Sequence, residues 1–174
     1  SLMNKPLGIA LIGCGTVGGG VAKLILEESQ RLTARAGRPF QLRYVVVRDP
    51  DKTRALDIPR DLFTTNLVDV LEDGAVDVAV EVVGGVDWAR RAVLDLLTAG
   101  KHVVTANKAL LAECGREIFD CARHYERAVA FEASVAGGIP IIGALSQGLA
   151  ANQVQSLRGI LNGTSNFILT AMTE

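Results

Sequence analysis

Aromatic side chains are scarce in this chain, at 5% of 174 residues against 49% hydrophobic residues overall, so its interior has to be built from Val, Leu, Ile and Ala. A core of that composition suits a parallel sheet covered on both faces. Net charge is lacking too: a value of −1 at neutral pH leaves no electrostatic footprint for nucleic acid or an acidic membrane surface. Cysteine is limited to Cys14, Cys114 and Cys121. An odd number with no CxxC or metal-ligand spacing argues against a disulfide framework and suits reduced thiols in a cytoplasmic protein. Ser1 and Leu2 ahead of Met3 read as a cloning remnant, not a targeting signal. The segment from Ala133 to Leu157 has no charged side chain and is long enough to cross a bilayer, but Gly137, Gly138, Pro140 and Gly143, then Gln147, Asn152 and Gln153, interrupt it. It reads as a strand end, a buried helix and a turn, with no membrane span.

The stretch around which the chain is organised runs from Leu7 to Val21, LGIALIGCGTVGGGV. Gly8 to Ile12 are apolar without alternation, as in a parallel strand buried on both faces. Gly13, Gly15 and Gly18 then supply G-x-G-x-x-G ahead of a helical pattern, the context in which that spacing marks a dinucleotide site. Gly13 permits the tight turn. A side chain at Gly15 would block a pyrophosphate from the backbone, Gly18 lets helix and strand approach closely, and the phosphates would sit on the helix N-terminus.

From Val17 to about Ala36 the spacing predicts one long helix with Val21, Leu24, Ile25 and Leu32 toward the sheet, stopped by Gly37 and Pro39. Phe40 to Val47 is the second strand. The turn after it, Arg48 to Lys52, is where an adenosine ribose would lie. A cation there accommodates the 2′-phosphate of NADP, whereas a carboxylate there serves NAD; Arg48 and Lys52 favour NADP, with Asp49 left as an NAD alternative. Asn66 to Asp73 reads as a short helix and Val76 to Val83 as a buried strand ended by Gly84 and Gly85, which bring backbone near the cofactor. Glu81 is the anomaly in that strand, since a carboxylate among apolar residues needs a partner. An ion pair at the sheet edge and a functional role are equally compatible with it.

Asp87 is expected to cap a helix reaching about Ala99, and Gly100 to close it. Lys101 to Thr105 is the next strand, and its exit, Thr105-Ala106-Asn107-Lys108, falls at the edge where open α/β sheets hold their active sites. Lys108 is therefore the first chemical candidate, while His102 and His124 lack clustered partners. A helix with Leu111, Ile118, Cys121, Ala122 and Tyr125 on one face leads to a last strand, Ala128 to Phe131. The expected fold is α/β, a Rossmann-type doubly wound parallel sheet over residues 4–133. Residues 134–174 read as the truncated start of an α+β catalytic domain, with a helix begun by Pro140, a strand from Val154 to Leu161 and a turn at Asn162-Gly163-Thr164 into a further helix. Roughly 40 residues fall below the size at which a domain stands alone, so the chain reads as part of a longer polypeptide.

GIALIGCGTVGGG, VEVVGG, TANKALL, FEASVAGGIPII and GILNGTSNFILTAM occur here in the order and spacing of one family, and from the glycine loop to its last residue the chain resembles homoserine dehydrogenase. The resemblance implies interconversion of L-homoserine and L-aspartate 4-semialdehyde with NADP or NAD, in the aspartate route to threonine, methionine and isoleucine. It implies that Gly13, Gly15, Thr16, Val17 and Gly18 hold the pyrophosphate and that Arg48 faces the adenosine 2′ position. Gly84, Gly85, Thr105 and Asn107 would line the cofactor, and Lys108 would lie between nicotinamide and substrate. The family's principal catalytic lysine and its acidic substrate ligands would lie beyond Glu174. A monovalent-cation site, for Na+, would match the Glu132 carboxylate and the carbonyls of Val135, Gly137 and Ile139. Oxygen ligands alone suit a hard cation, although GGIP also reads as a plain turn before a helix. The complete protein would form a homo-oligomer. Two other readings stay open: another semialdehyde or imine reductase on the same nucleotide fold, and a module that binds NAD(P) without catalysis.

Overall fold

Five consecutive residues from Gly8 to Ile12 are buried, and the strand they form, β1 (Leu7–Ile12), is the centre of a six-stranded sheet. The computed structural model describes residues 5–54 and 56–131 of the chain. After β1 come α1 (Thr16–Glu27), α2 (Ser29–Ala36), β2 (Phe40–Val46), β3 (Phe63–Thr64), α3 (Val68–Glu72), β4 (Val78–Glu81), α4 (Asp87–Thr98), β5 (His102–Thr105), α5 (Lys108–His124) and β6 (Val129–Ala130). The sheet order is β3-β2-β1-β4-β5-β6 and every pairing is parallel. This is the doubly wound Rossmann order, which reverses direction between β1 and β4 and opens a crevice beyond the carboxyl ends of those strands.

Alternate side chains of β1 divide the interior. Ile9 and Leu11 pack with Ala22 and Ile25 of α1 and with Leu42 and Val45 of β2 on one face. Ala10 and Ile12 pack with Ala89, Val93, Leu96 and Leu97 of α4 and Leu110, Ile118 and Ala122 of α5 on the other. With scarcely any aromatics the layers are made of branched aliphatics and alanine, and each face is filled from a different set of helices. The chain divides into two units at Ala130 and Phe131. The expected cation ligands Glu132, Val135, Gly137 and Ile139, and every element expected from residue 132 onward, lie outside the described residues.

Several elements differ from expectation for identifiable reasons. The predicted single helix from Val17 to Ala36 is two helices. Glu28 leaves helical geometry at φ −110° and ψ 25°, because no apolar residue after Leu26 and before Leu32 holds the axis to the sheet. Leu24, expected to face the sheet, is exposed. The buried stripe of α1 is Gly18, Ala22 and Ile25, a spacing of four and three, and Leu24 falls about 100° around the helix from Ile25. Asp87 does not cap α4: it sits inside the first turn, and the N-cap position is Val86 with no side-chain cap. Asn66 lies before α3 and not in it, its Oδ1 accepting from the Val68 N–H at 3.1 Å. Tyr125, expected on the buried face of α5, is exposed at its end. β4 is shorter than predicted by two residues at each end. β3 and the 3₁₀ turn before it, Arg60–Leu62, had no sequence signal, since a two-residue strand has no period to detect.

Candidate functional site

The glycine loop forms first from backbone constraints. Gly13 has φ +97°, a conformation that L side chains avoid, and its N–H donates to the Val46 carbonyl at 2.9 Å, which ties the end of β1 to β2. A Cβ on Gly18 would meet the Gly13 carbonyl oxygen at 2.4 Å, so only glycine lets α1 start this close to the loop. A Cβ on Gly15 would meet nothing within 4 Å. That residue is exposed at the N-cap of α1 with no side-chain cap, so the first N–H groups of the helix are left for another acceptor. Glycine is thus needed at Gly18 for packing, and at Gly15 for whatever approaches from outside. Thr16 and Val17 open the helix on the same exposed side.

The turn after β2 is organised by a residue that sequence reading passed over. Arg54 donates to the carbonyls of Asp49 at 2.8 Å, Pro50 at 3.3 Å and Lys52 at 2.8 Å, while its guanidinium lies 4.7 Å from the centre of the Phe63 ring. Its multiple donors collect three carbonyls at once, which a lysine does not do in fixed geometry. Both acidic residues of the turn are engaged locally: Asp49 Oδ1 accepts from the Asp51 N–H at 2.9 Å, and Asp51 pairs with Arg60. Arg48 and Lys52 are exposed and form no ion pair among the described residues. The turn therefore presents uncompensated positive charge.

Glu81 ends β4 fully buried, and of the two readings left open for it the ion pair does not form among the described residues. Its Oε2 accepts the Thr105 hydroxyl at 2.6 Å and its Oε1 accepts the Val83 N–H at 2.9 Å. Thr105 Oγ1 in turn accepts the Asn107 N–H at 3.1 Å. Asn107 caps α5 by accepting from Leu110 N–H at 3.1 Å and donates from Nδ2 to the Gly85 carbonyl at 2.6 Å. Gly84 and Gly85, both at positive φ, are thus held from two sides, by Glu81 through Val83 and by Asn107 through Gly85. The side chains of Thr105 and Asn107 belong to this framework. Lys108 follows it as the first residue of α5, exposed and without a hydrogen bond or ion pair to the described residues.

A cleft of about 570 Å³ lies at this edge of the sheet. Gly13, Cys14 and Gly15 form one part of its wall, Val46 to Asp49 with Lys52 and Arg54 another, and Val82, Val83 and Trp88 a third. It is enclosed by the carboxyl ends of β1, β2 and β4, the crevice that the strand order opens. Of the expected site residues it brings together Gly13, Gly15 and Arg48, whereas Lys108 and the Thr105–Asn107 framework are not in its wall. Arg54, Thr65 and Trp88 are lining residues that no motif marked. Trp88 had one usable signal: a tryptophan in an aromatic-poor chain, three residues beyond a glycine pair that ends a strand. Among the described residues no cluster of His, Cys, Asp and Glu is arranged to hold a metal, and no helix is long and apolar enough to cross a membrane.

A second charged group supports the sheet before β4. Asp73 Oδ2 takes two hydrogen-bonding contacts from Arg43, at 2.7 and 2.8 Å, and Oδ1 accepts from the Ala75 N–H at 2.8 Å. The Ala75 bond, together with Arg43, holds the Asp73 carboxyl below its ordinary range despite burial. Burial, and the hydrogen bond to Asp73, push the neighbouring Tyr44 phenol up. The Lys101 ammonium, almost wholly buried, donates to the Asp73 carbonyl at 2.6 Å.

A family model described as the NAD-binding domain of homoserine dehydrogenase matches residues 13–132, and one described as homoserine dehydrogenase matches residues 140–174. The homoserine dehydrogenase of Bacillus subtilis is 44% identical over 98% of the chain, and that of Neisseria gonorrhoeae 46% identical over 98%. A crystal structure of a homoserine dehydrogenase from Thiobacillus denitrificans superposes with a TM-score of 0.86 at 48% identity, covering 97% of the chain and 39% of that protein. The chain spans 39% of the length of each of the two curated relatives.

Proposed function

The chain belongs to the homoserine dehydrogenase family, and on that premise we propose that it is the NADP-binding portion of an enzyme interconverting L-homoserine and L-aspartate 4-semialdehyde. The observation that carries the cofactor assignment is the turn after β2. Asp51 pairs with Arg60 and Asp49 Oδ1 accepts the Asp51 N–H, while Arg48 and Lys52 stay unpaired among the described residues, so the cations of the turn are the larger free charge. A ribose 2′-phosphate complements that charge, and a bare 2′-hydroxyl does not.

The site fits a dinucleotide on its own geometry. Gly15 leaves open space where a Cβ would stand, and the N-terminus of α1 offers unpartnered N–H groups to a pyrophosphate. Bound NADP supplies the nicotinamide C4 that accepts or returns hydride. Lys108 is assigned to the substrate oxygen: it follows a buried strand and is the exposed first residue of a helix capped by Asn107, at the carboxyl edge of the sheet. A lysine there takes up the hydroxyl proton in the oxidative direction, or holds the oxygen for a base elsewhere in the protein, a contribution of ~10²–10⁴ in rate for general base work. The Glu81–Thr105–Asn107 framework keeps the glycine turn and Lys108 in register.

The test is oxidation of L-homoserine by the whole protein with NADP and with NAD. The expected result is turnover with a higher kcat/KM for NADP. Turnover of a cyclic imine or a different semialdehyde in preference to the homoserine pair would assign the rival reductase reading instead, and cofactor binding with no turnover of any of them would assign the binding-module reading.

A further inference from the structure

We propose that Trp88 is the stacking wall for the adenine ring, on the reading that the cleft binds NADP. Trp88 is the one tryptophan among the 174 residues, and it is 40% exposed at the second position of α4. Its indole makes no hydrogen bond and no ring contact with the described residues. A large aromatic surface left open in this way is not explained by packing, because the neighbours that hold α4 in place, Ala89, Ala92 and Val93, are buried without it. The backbone beneath it is rigid: the Arg90 N–H donates to the Val86 carbonyl at 2.7 Å, and Arg90 pairs with Glu117 of α5.

The position of Trp88 says which ring it serves. It shares one cleft with Arg48, Lys52 and Arg54, whereas Lys108, at the reacting end, is not in that cleft's wall. The half of the dinucleotide that shares a cavity with the cationic turn is the adenosine half, and its flat base needs apolar faces on both sides. Val46, Val47, Val82 and Val83 supply aliphatic surface, and Trp88 is the one aromatic in the lining. An indole face stacks on any purine and is sequence-tolerant, so Trp88 contributes affinity while Arg48 contributes the choice between the two cofactors.

The experiment compares the whole protein with Trp88→Ala and Trp88→Phe, using adenosine 2′,5′-bisphosphate, reduced nicotinamide mononucleotide and NADPH as probes in calorimetry. Trp88→Ala should bind the bisphosphate and NADPH about five- to a hundredfold more weakly, with the mononucleotide and the melting temperature unchanged. Trp88→Phe, which keeps a ring, should restore most of the affinity. The indole emission, taken as the difference between wild type and Trp88→Phe, should be quenched by the bisphosphate. Unchanged bisphosphate affinity in Trp88→Ala, or an equal loss for the mononucleotide, overturns the assignment. Trp88-dependent bisphosphate binding by a protein that does not turn over homoserine keeps this inference and removes the proposed activity. Normal homoserine turnover with a Trp88→Ala variant of unchanged NADPH affinity does the reverse, and a wild-type protein that ignores the bisphosphate removes this inference and the NADP assignment together.

Discussion

Thr105 donates its hydroxyl to Glu81 at 2.6 Å, so that β4 and β5, adjacent parallel strands, finish in a shared buried hydrogen bond at the edge where the cleft opens. Register makes this possible: Glu81 and Thr105 are paired positions in the ladder. The carboxylate that looked out of place in an apolar strand is therefore the tie between two strand ends and the turn that follows.

Removing that tie should cost stability before chemistry. Glu81→Ala removes the carboxylate that accepts from the Thr105 hydroxyl and the Val83 N–H and opens a cavity, an expected loss of about 2–4 kcal/mol. Glu81→Gln keeps the volume and one acceptor, and should lose about 1 kcal/mol. Urea denaturation monitored by circular dichroism measures both, and equal stability of Glu81→Ala and wild type would refute the role.

Gly15 and Gly18 should separate under the same substitution. Gly18→Ala forces a methyl to 2.4 Å from the Gly13 carbonyl, so the loop has to shift and the protein should melt several degrees earlier. Gly15→Ala meets open space and should melt normally while binding the cofactor at least tenfold more weakly, because the methyl stands where the pyrophosphate approaches. Thermal melts paired with NADPH titration check the contrast.

Arg48→Ala should weaken NADP by about 1.5–3 kcal/mol and leave NAD within about twofold, since a charge-assisted phosphate contact is lost from one cofactor alone. Calorimetric Kd values for the two cofactors are the readout. Equal weakening of both would place Arg48 in the fold of the turn, not on the 2′-phosphate.

Lys108 is exposed and unpaired among the described residues, so Lys108→Ala should leave the melting temperature within a degree or two. In the whole enzyme kcat/KM for homoserine should nevertheless fall about 10²-fold or more. Retention of nearly full activity would remove Lys108 from the chemistry.

The lowered Asp73 carboxyl carries a pH dependence. A carboxyl whose folded value lies below its unfolded one contributes stability at pH above the unfolded value, and loses it as pH falls through the folded value. Wild type should therefore lose stability on acidification below about pH 4, and Asp73→Asn should be destabilised by about 2 kcal/mol at pH 7 with a flatter acid limb. Denaturant midpoints at pH 7, 4 and 3 decide it.

Where local chemistry is sufficient the residues themselves were enough. An unalternating apolar run followed by G-x-G-x-x-G requires a buried strand, a tight turn and a helix whatever surrounds them, and the scarcity of aromatics together with the absence of net charge points to an aliphatic, doubly covered sheet. The parallel order of that sheet, the glycine loop and the exit at Lys108 were legible for this reason. Contacts between residues distant in sequence were not. Glu81 meets Thr105 because two strands lie in register, and Arg54 gathers three carbonyls only once the turn has folded around it. Leu24 and Ile25 are neighbours in a single apolar stretch, yet one is exposed and the other buried, because the face of α1 that meets the sheet runs through Gly18, Ala22 and Ile25. Trp88 enters the cleft only when the start of α4 is laid at the carboxyl end of β4, across from the turn after β2. Those are relations of packing and register, which the tertiary structure alone determines, because each depends on where a second element ends and not on the residue's own neighbours in the chain.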